Sequence, residues 1–186
     1  MTTWHIIPQN MPCVTRHCSK CNKKASFYCS QKFRVNSNGQ RSDIWLIYKC
    51  AKCDTTWKLT IMRGIKPGDL SELLYEKFAN NDAELARKYA FDRQLLKQND
   101  CEIDYSGIAY EVVADGFLGS FSVMVKSEYY FDLKLTTFLS KMLDLSVSGI
   151  KKLVESGEIS TSLECDIVKY KIRADFELFR DIVTGT

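Results

Sequence analysis

Apolar positions along the 186-residue chain change period several times. Two β-branched and aromatic runs, "SFYCSQKFRV" and "DIWLIYKC", flank "NSNGQ", which puts Asn38-Gly39 where a tight turn joins two strands. "TTWKLTIM" keeps the strand period, with Trp57, Leu59 and Ile61 alternating against Lys58 and Thr60. Gly64, Pro67 and Gly68 end that segment. The period changes at Asp69: Leu70, Leu73, Leu74 and Phe78 recur at helical spacing, and "NND" interrupts at 80–82. Leu85, Tyr89 and Leu96 then form a second stripe capped by Asp82. This predicts a helical hairpin that serves as a packing element.

Short strands are predicted in "CEIDY", "IAYEVVAD" and "FSVMV", broken by Gly107, Gly116 and Gly119. Leu135, Phe138, Leu139, Met142 and Leu143 follow at the spacing of a full helical face. After the break "DLSV", Ser146 is placed to cap a second helix that turns Ile150, Leu153 and Val154 inward and stops at Gly157. The tail "DIVKYKIRADFELF" reads as one or two strands. The sum is an α+β chain: β-hairpins in residues 1–66, a central helical hairpin in 67–99, and a small α/β unit in 100–186 with a helix pair at 133–157.

Apolar residues make up 45% of the chain, enough for one compact domain or two small ones. No run of about 18 apolar residues occurs, and "MTTWHIIPQNMP" has neither a basic leader nor an apolar stretch, so a cytoplasmic location is expected. The net charge of +3 conceals an asymmetry. Residues 1–66 carry 12 Lys and Arg against 2 acidic residues, whereas 67–186 carry 14 against 21. A small segment so poor in acid attracts phosphates or an acidic partner surface.

Eight cysteines in a chain with no export signal argue against a disulfide scaffold. Four of them form two Cys-x-x-Cys pairs, Cys18 with Cys21 and Cys50 with Cys53, on either side of the predicted hairpin. A tight turn can present two sulfurs to one ion, and two such turns complete a tetrahedral cage for Zn²⁺. A thioredoxin-like site would put one pair at a helix start after a strand, but loop and strand patterns follow Cys21 and Cys53. Residues 1–66 are too few to bury a sufficient core alone, and a structural zinc contributes about 10–16 kcal/mol in small fingers. With four sulfurs bound the ion has no open position, so a structural zinc ribbon is expected. Cys13 is the next candidate ligand, His17 crowds Cys18, and Cys29 reads as a strand thiol. Cys101 and Cys165 are expected in the core.

The string "CSKC…KFRVNSNGQRSDIWLIYKCAKCDTTWKLTI…NDAELARKYAFD" resembles a bacterial family catalogued only as a domain of unknown function, across roughly the first half of the chain. The resemblance implies a zinc ribbon and no activity. Residues 133–159, "LKLTTFLSKMLDLSVSGIKKLVESGEI", resemble the two-helix start of the RNA-binding fold named after ribosomal small-subunit protein S-four. That resemblance implies contacts to the backbone of structured RNA from Lys134, Ser146, Ser148, Lys151 and Lys152. The chain has Lys134-Leu135-Thr136 and Ser146-Val147 where such modules usually carry Arg-Leu-Asp and Ser-Arg.

Within the ribbon, Lys20, Lys23, Lys24, Lys32, Arg34 and Arg41, with Lys49, Lys52 and Lys58, are candidates to contact phosphate. Phe33, Trp45 and Trp57 lie among them, and the two tryptophans are expected to fill the ribbon's core. The expected function is a zinc-containing, non-catalytic accessory protein that binds structured RNA of ribosomal or transfer type. Two alternatives are a helix-turn-helix DNA regulator reading through residues 146–153, which offer only two lysines to base edges, and a protein-interaction adaptor. Two histidines, no Gly-rich phosphate loop and no motif for an activated nucleophile argue against an enzyme.

Overall fold

A computed structural model describes residues 2–38, 41–115 and 122–180. The chain divides into two units, one of residues 10–108 and one of 1–9 with 109–186. Among the described residues the fold is α+β, with two five-stranded sheets and five α-helices.

In the unit of residues 10–108, the long strands follow the predicted hairpins. Strand β2 (Cys13–Cys18) leads into β3 (Lys23–Asn38), β4 (Arg41–Cys50) and β5 (Thr56–Ile65), all antiparallel, and β6 (Glu102–Asp104) closes the order β5-β4-β3-β2-β6. Asn38 pairs with Arg41, while Gly39 of the expected turn lies outside the described residues. The register of β3 against β4 shifts between Cys29 and Lys32, where Gln31 takes a φ of 58°. That bulge lets Phe27, Cys29, Phe33 and Val35 all share one face with Tyr48, Leu46 and Ile44.

Three helices, not two, cover that face: α1 (Glu72–Ala79), α2 (Ala83–Phe91) and α3 (Arg93–Gln98). Each starts on a side-chain cap, with Ser71, Asp82 and Asp92 accepting from Leu74, Leu85 and Leu95 backbone N–H groups. Asp92 both ends α2 and caps α3, so the apolar stripe that runs through it in sequence is split. Leu73, expected on the inner stripe, is 66% exposed. One core joins Val14, Phe27, Leu46, Tyr48 and Leu59 of the sheet to Ala86, Ala90 and Leu96, and a smaller one joins Ile44 to Phe78 and Leu85. Phe33 meets Phe78 edge to face at 5.0 Å.

In the other unit, the first strand, β1 (Thr2–Pro8), has no counterpart in the sequence reading. It lies between β7 (Tyr110–Asp115), antiparallel, and β8 (Ser122–Ser127), parallel. Strands β9 (Ile159–Thr161) and β10 (Phe176–Arg180) complete the order β7-β1-β8-β10-β9. The expected helix pair is present as α4 (Leu135–Leu143) and α5 (Val147–Glu155). Leu135, Phe138, Leu139 and Ile150 are buried on it, and Trp4 meets Phe138 edge to face at 5.9 Å. The Ser146 hydroxyl accepts from Gly149 N–H at 3.0 Å as the predicted cap, and Gly157 takes the left-handed φ of 81° that ends the helix. The tail forms one strand, β10, while Lys171 makes only an isolated bridge to Lys134. No helix among the described residues is long and apolar enough to cross a membrane.

Candidate metal centre and basic sheet face

The four paired cysteines meet at one end of the long-stranded sheet. Cys18 ends β2 and Cys50 ends β4, and a short turn follows each strand. The turns are alike: the residue after the second cysteine, Asn22 in one and Asp54 in the other, is left-handed with φ of 51° and 58°. Asn and Asp are the non-glycine residues that tolerate this conformation best. Backbone bonds fix the second turn, with Asp54 N–H donating to Cys50 C=O and Cys50 N–H to Thr55 C=O, both at 2.9 Å.

The four Sγ atoms lie within 4.8 Å of one another. Cys18 and Cys53 stand 3.5 Å apart, and Cys21 and Cys50 stand 3.9 Å apart. A tetrahedron with zinc–sulfur bonds of about 2.3 Å has edges of about 3.8 Å, so these separations fit a bound zinc and are far too long for disulfides. The four cysteines can hold a metal ion such as zinc. Cys18 and Cys50 are buried and belong to the hydrophobic core, which anchors half of the cage rigidly.

The electrostatics favour a cation. Hydrogen bonds from the other thiols, Cys53 first, with burial, push the Cys21 thiol up to about 12. The Thr55 hydroxyl, 3.1 Å from Cys53 Sγ, and the Thr55 amide pull Cys53 down to about 6. Without a cation, one thiolate in the group keeps its neighbours protonated. A divalent ion removes that conflict and lets all four ionise.

His17 and Cys13, the rival ligands, stand outside the four-cysteine group. Cys29 is half-buried against the core, and burial pushes its thiol up to about 11. Cys101 also packs against the core, but Cys165, expected there, is exposed.

The sheet's second face is basic. Ile44, Leu46, Tyr48 and Cys50 of β4 are buried toward the helices, so alternation turns Asp43, Trp45, Ile47 and Lys49 the other way. Register then defines three rows on this open face: Arg34–Trp45–Thr60, Lys32–Ile47–Lys58 and Tyr28–Lys49–Thr56. Arg41 lies on the same face beyond Asp43. Trp45 therefore leaves the core predicted for it, whereas Trp57 stays inside, 5.4 Å from Tyr48. Tyr28 is 40% exposed, and its hydroxyl donates to Asp54 at 3.0 Å. Lys24 is paired with Glu102 at 2.7 Å. Lys20 and Lys52 are exposed inside the two cysteine turns, and Lys23 opens β3 beside them. Lys134, Ser146, Ser148, Lys151 and Lys152 belong to the other unit and are exposed, Lys134 at the start of α4, the two serines at the start of α5 and the two lysines further along it. The open face was missed in sequence because Trp45 and Ile47 are as apolar as the Ile44, Leu46 and Tyr48 with which they alternate.

A family model described as "Protein of unknown function (DUF1062)" matches residues 35–164. The match begins after Cys18 and Cys21 and continues through the helix pair, so it extends further along the chain than the first half. No curated protein and no solved structure matches the chain.

Proposed function

The chain belongs to the DUF1062 family, whose description carries no activity, and we propose from its own residues that it is a zinc-stabilised, non-catalytic RNA-binding accessory protein. Zinc in the four-sulfur cage is structural: the cysteines fill a tetrahedral ion, so neither water nor substrate has a position on it. Its part is to tie the ends of β2 and β4 together and so set the sheet.

The observation that carries the reading is the composition of the open sheet face. Lys32, Arg34, Arg41, Lys49 and Lys58 share it with one carboxylate, Asp43, which is held by Gly64 N–H; nearby, Asp54 accepts from Tyr28, and Glu102 is ion-paired with Lys24. A face with five cations concentrates phosphates. Lys134 at the start of α4, with Lys151 and Lys152 along α5, supplies a second set of contacts, in keeping with the resemblance of that helix pair to the S-four-type RNA-binding fold.

Fluorescence anisotropy of the zinc-loaded full chain with labelled RNA and duplex DNA, titrated with salt, tests this. Five phosphate contacts from the sheet face alone predict that log K for RNA falls against log[salt] with a slope at least as steep as about −3.5. Failure to bind RNA at low salt rejects the function, and a preference for duplex DNA would transfer it to DNA regulation.

A further inference from the structure

The open face carries aromatic rings as well as charge, and charge alone does not call for them. We propose that it is a stacking platform for unpaired RNA bases, with Trp45 as the principal stacking residue; this rests on the RNA-binding reading above and names which part of an RNA the sheet would take.

Trp45 sits in the central position of its row, between Arg34 on β3 and Thr60 on β5. Although tryptophan carries a large apolar surface, this one is only partly buried and belongs to neither hydrophobic core of its unit. Its ring is covered instead by the Lys58 ammonium, 4.8 Å from the centroid. Lys58 is exposed and held by nothing stronger than that cation–π contact among the described interactions. A nucleobase offers the indole a full π-face in place of a solvated ammonium, and stacking outweighs a cation–π contact at an exposed site. Lys58, once displaced, remains beside the base and meets its phosphate.

Tyr28 supplies a second ring. Its hydroxyl is anchored on Asp54, which fixes the ring's direction before any ligand arrives. It lies in the row of Lys49, four residues along β4 from Trp45, so the two rows are about 14 Å apart at about 3.4 Å per residue. Lys32 and Lys58 occupy the row between them. Cations between separated rings suit a strand whose backbone crosses the sheet while its bases turn down onto it. A duplex keeps its bases stacked inside and can use only the charges.

The test measures binding of the full zinc-loaded chain to labelled oligouridylate and to an RNA hairpin duplex of equal length. Wild type is expected to prefer the single strand. Trp45→Ala should weaken that binding about 10- to 100-fold while leaving the salt slope unchanged, and Trp45→Phe should restore most of it. Lys32→Ala should instead lower the salt slope by about 0.7. Zinc content and circular dichroism confirm that each variant is folded, and Trp45→Val, which keeps strand propensity without a ring, serves if Trp45→Ala is not. Salt-dependent RNA binding that is equal for both probes and indifferent to Trp45→Ala overturns the platform and leaves the RNA-binding function standing. Absence of binding to either probe at low salt overturns both.

Discussion

Replacing Cys50 with serine removes one of four sulfur donors from a position with no exposed surface. A structural zinc held by four ligands contributes about 10–16 kcal/mol, so one donor's share is about 3 kcal/mol. The serine hydroxyl left among Val14, Phe27, Leu46 and Tyr48 adds a further cost of about 1–3 kcal/mol unless it finds a partner. For a unit of about 100 residues each kcal/mol moves the melting temperature by about 4–8 °C, so the zinc term alone lowers it by about 12–24 °C. Cys165→Ser is the matched control: that thiol is exposed and outside the cage, and the change should stay within about 0.5 kcal/mol. Mass spectrometry of the native protein gives the metal count, and a thermal melt followed by tryptophan fluorescence gives the stability. Wild type and Cys165→Ser should each hold one zinc, and Cys50→Ser should still load it but give it up to a mild chelator that leaves the other two loaded. Wild-type protein without zinc, or equal melting of the two variants, would refute the cage argument.

The Thr55 hydroxyl and amide hold Cys53 down near 6, so Thr55→Val should let this thiol rise toward its ordinary range. Protons then compete with zinc from a higher pH, and the acid-release midpoint should move upward with affinity falling about 10-fold or more, as read by a chromogenic zinc indicator. Asp82→Ala deletes the 2.7 Å cap on Leu85 N–H and should cost about 1 kcal/mol in urea unfolding, while Asp82→Asn should cost much less. Asn99→Ala removes a side-chain amide that both donates to Thr60 C=O, at 3.1 Å, and accepts from Thr60 N–H, at 2.9 Å. That exposes the edge of β5, so a loss of about 1–3 kcal/mol and greater self-association in light scattering are expected.

The sequence was most legible where a local rule decides the outcome. Asp82 and Ser146 cap helices as their side chains predict, each Cys-x-x-Cys turn presents its two sulfurs together because that spacing is set within four residues, and the hairpin pairing brings the two turns to one end of the sheet. The break at Asp92 was hidden because Leu85, Tyr89 and Leu96 keep their period across it, although Asp92 is itself a cap residue. Trp45 was misplaced because Ile44, Leu46 and Tyr48 alternate with Trp45 and Ile47, so period alone does not say which set faces the helices. The missing information is tertiary: Phe78 and Leu85 cover Ile44 and leave the other face open. Strand β1 has the correct alternation in Trp4, Ile6 and Pro8, but its partners Val112 and Ser127 stand far along the chain.

That long-range pairing makes the cysteine-bearing unit an insertion between the first strand of the other unit and the remainder of its sheet. During synthesis β1 emerges before the inserted unit and must wait, with Trp4 and Ile6 uncovered, until β8 has been made. Bringing the two together across an unfolded stretch of about 100 residues costs about 4 kcal/mol in chain entropy. Once the inserted unit has folded, its two ends are clasped, with the Asn10 side chain donating to Gly107 C=O at 2.9 Å, and most of that cost has already been met. If zinc sets the fold of the inserted unit, as proposed above, metal starvation should delay the other unit as well, although that unit contains none of the four ligands.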